Sequence, residues 1–160
     1  LHALNNGLLK GALFLVVGNL VLAANTSVVA EMKGMLRRRP VSAVLLVAGL
    51  FAVSGTPPFG LFISEYSIIA GAVHQDRLWI AIVLVILLSV IFVGLASMIL
   101  GLVWTEAGPS VARDEGGESA WLLAGPAALV AMVLVLGLYI PPPLQAMLQR
   151  AAASLGGGAP

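Results

Sequence analysis

Three ionisable side chains interrupt otherwise apolar stretches of the sequence: Lys10, Glu65 and His2. A lysine at the centre of a membrane span costs roughly 2.5–3.5 kcal/mol on insertion scales, so such residues usually serve a function. Lysine, glutamate and histidine all gain and lose protons, and together they can relay protons through water. The simpler alternatives are that Lys10 reaches the lipid headgroups from a helix end and that Glu65 is a surface carboxylate.

The spacing of the first polar group favours an internal position. His2, Asn6 and Lys10 are separated by four residues each, which places them along one side of a helix. A row of three polar side chains is costly to expose to lipid. We therefore expect this row to line a hydrated seam inside a helix bundle.

Glu65 follows a strong helix-breaking sequence. Pro57 and Pro58 lie shortly before it, and apolar residues flank it on both sides. Broken helices at membrane depth are tolerated where protein or a water-filled cavity satisfies the freed backbone groups, and ion pathways use them. Ser64 can bridge waters, or simply bond back to its own helix. His74 ends the stretch, and we favour the explanation that it is a solvated connector residue. The supporting polar or helix-breaking positions are Asn6, Pro57, Pro58, Ser64 and His74.

Composition sets the class of protein. Of 160 residues, 60% are apolar and 9% are charged, and the mean hydropathy is +1.06. Soluble domains carry about a quarter charged residues, so we predict an all-α integral membrane protein surrounded by lipid. A net charge of +1 gives no footprint for nucleic acid. Cysteine is absent, and we predict no metal site, cofactor or catalytic residue in this chain.

Five apolar stretches predict about five transmembrane helices. They cover about residues 1–24, 41–55, 56–73, 78–104 and 120–140. The second and third flank the proline pair, and they form either one long bent helix or two spans, one of them discontinuous. We favour two spans. The predicted bundle occupies residues 1–143, and residues 144–160 form an interfacial or flexible tail. Because residue 1 is Leu and lies within an apolar stretch, we expect more of the subunit upstream.

Two motifs carry a family resemblance. The string HALNNGLLKGALFLVVGN from His2 resembles the lysine-bearing helix of antiporter-like proton-channel subunits. These occur in respiratory complex I, multisubunit sodium/proton antiporters and membrane-bound group 4 [NiFe] hydrogenases. GTPPFGLFISE, ending at Glu65, is similar to the family's second discontinuous helix, whose key residue is Lys or Glu. Glu at this position and the ending GLYIPPPLQ most resemble the hydrogenase-4/formate hydrogenlyase membrane subunit of component F type.

The resemblance implies roles for individual residues. It covers essentially the whole chain and corresponds to the C-terminal portion of a larger antiporter-like helix bundle. It makes Lys10 the central proton-relay lysine and Glu65 the terminal relay residue, with His2 at a polar relay position. Asn6 departs from the pattern, because many relatives have His there and Asn cannot accept and release a proton.

The function implied by the resemblance is proton translocation in a group 4 [NiFe] hydrogenase-type complex. The partners would be other membrane-arm subunits and a hydrophilic redox arm, and the location the inner, cytoplasmic membrane of a prokaryote. The chain itself would be a non-catalytic subunit of an oxidoreductase complex. A cation/proton antiporter subunit and a complex I subunit are the alternatives, and a purely structural helical scaffold is a third.

Overall fold

The structure is a computed structural model that describes residues 1–105 and 117–154. Its regular elements are helical throughout these ranges, as the sequence predicts. Residues 155–160 of the predicted tail lie outside the described residues. The helices are α1 (His2–Ala24), a short 3-10 helix (Val29–Glu31), α2 (Met35–Arg38), α3 (Pro40–Val53), α4 (Gly60–His74), α5 (Leu78–Trp104), α6 (Ala120–Leu138) and α7 (Pro142–Ser154).

Among the described residues, α1, α5 and α6 are long and apolar enough to cross a membrane. Helices α3 and α4 have 14 and 15 residues. At 1.5 Å per residue each is roughly 21–23 Å long, short of a hydrocarbon core of about 30 Å. Neither therefore spans as a plain helix, and their relative direction decides the topology.

The contacts of α1 fix that direction. The side chain of Leu13 packs on Gly49 of α3, and Asn5 packs on Gly60 at the start of α4. His2 is hydrogen-bonded to Ser64, one turn further along α4. The chain from α3 into α4 thus moves steadily towards the beginning of α1 without turning back. Together α3 and α4 form one interrupted helix antiparallel to α1.

Contacts at the opposite end of the bundle indicate the same relative direction of α3 and α4. The Glu118 carboxylate, just before α6, accepts hydrogen bonds from the backbone N–H groups of Val41 and Ser42 at the start of α3. Val103, near the end of α5, shares a buried cluster with Met35. The end of α5 and the start of α6 therefore lie beside the start of α3. Between the start of α3 and the end of α5 the chain must then cross the bundle an even number of times.

The prediction of five spans is not confirmed. The described helices form four antiparallel traverses of the bundle: α1, the α3–α4 pair, α5 and α6. The bent-helix alternative is the one these contacts favour. The physical reason is that two half-length helices joined in line reach across a bilayer together, whereas neither does so separately.

Helix α6 lies antiparallel along α1, and small residues allow the approach. A Cβ on Gly11 would be in ordinary contact with Leu129, and a Cβ on Gly125 in ordinary contact with Leu15. The Asn19 amide donates to the Leu122 carbonyl at 2.8 Å. Small residues at helix interfaces are the usual means of packing where lipid surrounds a bundle. This packing brings the end of α6 to the level of the break between α3 and α4.

The apolar core is divided along the bundle. One cluster, which includes Val16, Leu46 and Leu102, joins α1, α3 and α5 at the end near α2. A second, smaller cluster of Leu9, Ala52, Leu61 and Val133 lies at the α3–α4 break. The apolar residues next to the break therefore pack against α1 and α6.

Candidate functional site

Residues 54–59 form the break between α3 and α4. Gly55 has a φ of +63°, a left-handed conformation that favours glycine. The Pro57–Pro58 peptide is cis, and both proline side chains are exposed. The turn keeps its own hydrogen bonds, from Thr56 N to Phe51 O and from Phe59 N to Thr56 O at 3.1 Å each. These bonds satisfy part of the backbone that the helix interruption frees.

Glu65 turns back onto this break. Its carboxylate occupies the position where a Cβ at Gly55 would lie, and the residue is partly buried. Glu65 lies five residues after Gly60, which is more than one turn of α4. Its side chain is long enough to reach back to the break. The acid that the sequence singled out is therefore positioned by the helix break itself.

His2 joins the same group from α1. Its ring Nδ1 lies 3.0 Å from the Ser64 hydroxyl oxygen, and Ser64 directly precedes Glu65 in α4. The Ser64 hydroxyl donates to the Leu61 carbonyl at 2.8 Å. Ser64 is buried, and His2 is partly buried. The structure thus brings His2, Ser64 and Glu65 together.

Asn5 is a further polar residue at the break, and the sequence reasoning gave it no role. It is 0% exposed, and within the described residues neither its amide nitrogen nor its amide oxygen has a hydrogen-bond partner. Its amide lies directly over Gly60. Leaving a buried polar group unpaired costs about 1–3 kcal/mol. The signal was present in the pattern, since Asn5 falls on the buried stripe of α1, which is Asn5, Leu9, Ala12, Val16 and Leu20.

Gly137 of α6 also packs on the break. A Cβ at this position would collide with the backbone of Pro58, Phe59 and Gly60. Backbone therefore packs on backbone there, with no side chain between. Asn5 of α1 and Gly137 of α6 therefore both pack on the backbone where α4 begins.

Lys10 does not join this group. Its side chain is exposed on α1, whereas His2 and Asn6 are partly buried. Each four-residue step turns about 40° beyond a full turn, so His2 and Lys10 differ by about 80° around α1 and by roughly 12 Å along it. The predicted row of His2, Asn6 and Lys10 therefore winds around α1. His2 contacts α4, whereas Lys10 lies on the exposed, open face of α1.

His74 is also separate from the site. It is the last residue of α4 and is exposed. Both observations agree with the explanation that it is a connector residue. A cavity of about 360 Å³, lined in part by Asn19, Arg39, Ser42 and Glu118, lies at the other end of the bundle. It is therefore distinct from the group around Glu65. In residues 1–105 and 117–154, no cluster of three or more His, Asp or Glu side chains could hold a metal ion.

Sequence comparison assigns the chain to a known family. The profile of the NADH:quinone oxidoreductase/Mrp antiporter transmembrane family matches residues 1–101, a range that contains α1, the break and the three grouped side chains. The chain belongs to this family. The expected membership of the antiporter-like proton-channel group is thereby confirmed, and the chain is a multi-pass membrane protein.

Individual relatives come from several branches of the family. The chain is 30% identical, over 89% of its length, to a hydrogenase-4 component F homolog of Methylacidiphilum infernorum. It is 27% identical, over 86% of its length, to Na⁺/H⁺ antiporter subunit A1 of Staphylococcus epidermidis. A shorter match, 38% identical over 35% of the chain, is to NADH-quinone oxidoreductase subunit N 1 of Chloroherpeton thalassium.

These matches cover only part of each relative. The chain spans 29% of the hydrogenase-4 homolog, 19% of the antiporter subunit and 12% of the oxidoreductase subunit. No solved structure shows a significant match. The comparisons therefore support an antiporter-like membrane subunit without distinguishing among the three kinds of complex.

Proposed function

We propose that this chain is part of a proton-translocating subunit of a group 4 [NiFe] hydrogenase-type complex, in which Lys10, His2 and Glu65 relay protons. The observation that carries the proposal is that His2 is hydrogen-bonded to Ser64 while Glu65, the next residue, lies against Gly55 in the helix break. Two proton-exchanging side chains from different helices thus lie close to the point where the backbone is interrupted. Such interruptions are a recurrent way to build ion sites in membrane proteins.

In this proposal the three residues act in sequence. Glu65 exchanges protons at the break, His2 connects α4 to α1, and Lys10 receives or supplies protons on the open face of α1. Because Lys10 lies roughly two turns from His2, water near Asn6 must connect them. Other membrane-arm subunits and a hydrophilic redox arm would supply the coupling, in the inner membrane of a prokaryote.

An antiporter subunit is the second candidate. The match to the Staphylococcus epidermidis subunit extends over 86% of the chain, nearly as far as the match to the hydrogenase-4 homolog. The same relay would then serve sodium/proton exchange without a redox partner. The two candidates differ in what drives proton movement, which an assay can separate.

The test uses membrane vesicles that contain the parent complex. Glu65→Gln removes the exchangeable proton while nearly keeping the shape of the side chain, and Lys10→Gln does the same for the lysine. Glu31→Gln and Lys33→Gln are the matched controls, because both residues are exposed and lie outside the long helices. We expect the first pair to abolish proton uptake while hydrogenase turnover with an artificial acceptor persists, and the controls to retain both.

Each outcome has a definite meaning. Proton uptake at the unaltered rate in Glu65→Gln would overturn the relay. Uptake that depends on sodium and needs no hydrogen oxidation would select the antiporter. If Lys10→Leu is neutral or more stable and transport is unchanged, the chain is a structural scaffold instead.

A further inference from the structure

The hydrogen bonds at the α1–α4 junction specify more than proximity. A serine hydroxyl carries one hydrogen and two acceptor lone pairs. The Ser64 oxygen lies 2.8 Å from the Leu61 carbonyl oxygen and 3.0 Å from the His2 Nδ1 atom, and its one hydrogen can be donated to only one of them. If Ser64 donates to Leu61 and Nδ1–H donates to Ser64, both contacts are hydrogen bonds, whereas donation from Ser64 to Nδ1 leaves only one.

The arrangement with two hydrogen bonds specifies which ring nitrogen carries the hydrogen. While Ser64 donates to Leu61, an unprotonated Nδ1 would place its lone pair against the lone pair of the Ser64 oxygen, and no hydrogen bond would form. In the two-bond arrangement Nδ1 therefore bears a hydrogen and donates it to Ser64. In neutral His2, Nε2 then has no hydrogen, since a neutral imidazole carries only one. Ring tautomers are assigned from hydrogen-bond partners in this way.

We propose that Ser64 is a positioning residue that holds His2 in the Nδ1–H tautomer, so that Nε2 is the atom that accepts and releases the proton. This inference rests on the proposed function for its role in transport, but not for the tautomer itself. A proton that binds Nε2 makes the imidazolium, and the same Nε2–H must later leave. The hydrogen bond from Nδ1–H to Ser64 is kept throughout, and no other bond changes.

In this arrangement a proton does not pass through the ring from Nε2 to Nδ1. The Ser64 hydroxyl then donates to Leu61, so it gives no onward route. His2 therefore exchanges protons on its Nε2 side only. Glu65, the next residue to Ser64 in α4, is the titratable group that this exchange serves.

Helix α4 provides a matched control. The Ser67 hydroxyl also donates back into the helix, to the Ile63 carbonyl at 2.7 Å, but Ser67 is exposed. Ser67→Ala removes the same atom and the same kind of intrahelical bond, while leaving His2 with its partner. Ser64→Ala removes the partner, and Ser64→Thr keeps a hydroxyl.

The experiment is nitrogen NMR of ¹⁵N-histidine-labelled protein in membranes, at a pH that keeps imidazole neutral. The signal lost in His2→Gln identifies His2. We expect Nδ1–H in the unaltered protein, in Ser67→Ala and in Ser64→Thr, and loss of the Nδ1–H majority in Ser64→Ala. Equal membrane amounts of the serine variants would show that folding is retained, since Ser64→Ala removes only one oxygen.

Two results would overturn the proposal: an Nε2–H signal for His2 in the unaltered protein, or an unchanged tautomer in Ser64→Ala. Proton uptake by vesicles provides the functional readout. We expect a loss in Ser64→Ala that Ser64→Thr restores, and unaltered uptake in Ser64→Ala would refute the positioning role. Because the tautomer is measured without transport, failure of the relay itself would appear in the Glu65→Gln assay alone.

Discussion

The Glu65 carboxylate lies where a side chain on Gly55 would begin. The two residues belong to different parts of the interrupted helix, yet neither can change without affecting the other. Glycine at 55 supplies both the left-handed backbone, with φ of +63°, and the space that the acid fills. The conformation of the break and the position of the Glu65 carboxylate therefore depend on each other.

Gly55→Ala is expected to displace Glu65 and to reduce proton uptake. A non-glycine residue in the left-handed region costs about 1–2 kcal/mol, and the added methyl group would collide with the carboxylate. Thermal unfolding in detergent and vesicle proton uptake measure the two effects. Gly71→Ala is the control, because Gly71 is in α4 and its Cβ would meet open space. Uptake and stability equal to this control would refute the steric link.

Gly137→Ala is expected to separate α6 from the break. The new methyl group would collide with the backbone of residues 58–60, which cannot move aside as a flexible side chain does, and overpacking typically costs about 1–3 kcal/mol. The measurement is the unfolding midpoint, compared with Gly125→Ala on the same helix. At Gly125 the methyl group makes only ordinary contact with Leu15, and alanine favours helix, so stability there should hold or rise. Equal midpoints for the two variants would contradict the close packing.

Glu118→Ala is expected to loosen the start of α3. The carboxylate accepts from Val41 N at 2.8 Å and Ser42 N at 2.9 Å, and loss of a helix cap typically costs about 0.5–2 kcal/mol. Hydrogen exchange resolved at the amides of residues 41 and 42 measures the effect directly. Glu118→Gln retains one acceptor oxygen and should lie between Glu118→Ala and the unaltered protein. Unchanged exchange in the alanine variant would show that the cap contributes nothing.

The sequence was sufficient for the class of fold and for the approximate helix boundaries. Hydropathy separates the apolar stretches, and proline marks the break and the end of α6, since it offers no N–H and stops a helix. Hydropathy does not tell whether two short helices continue in line or turn back. That choice depends on which side chains of α1 meet them, such as Leu13 on Gly49 and Asn5 on Gly60.

The candidate site was predictable only in part. Glu65 and Lys10 stand out as charges among apolar residues, but the partner of His2 is Ser64, 62 residues away. Local spacing carries no information about such a contact. The four-residue spacing also suggested a straight row, whereas the helix turns about 40° further with each step. Gly55 and Gly137 carry no chemical group, so only the packing reveals their importance.

The support of the break by Gly137 has a consequence for biosynthesis. Residues 54–59 leave the ribosome and enter the membrane well before residue 137 does, because synthesis proceeds from the N-terminus. During that interval the backbone of Pro58, Phe59 and Gly60 lacks the α6 surface that later packs on it. Exposed irregular backbone is costly in lipid. The nascent chain therefore depends on α6, or on a helper at the site of insertion, to shelter a segment made much earlier.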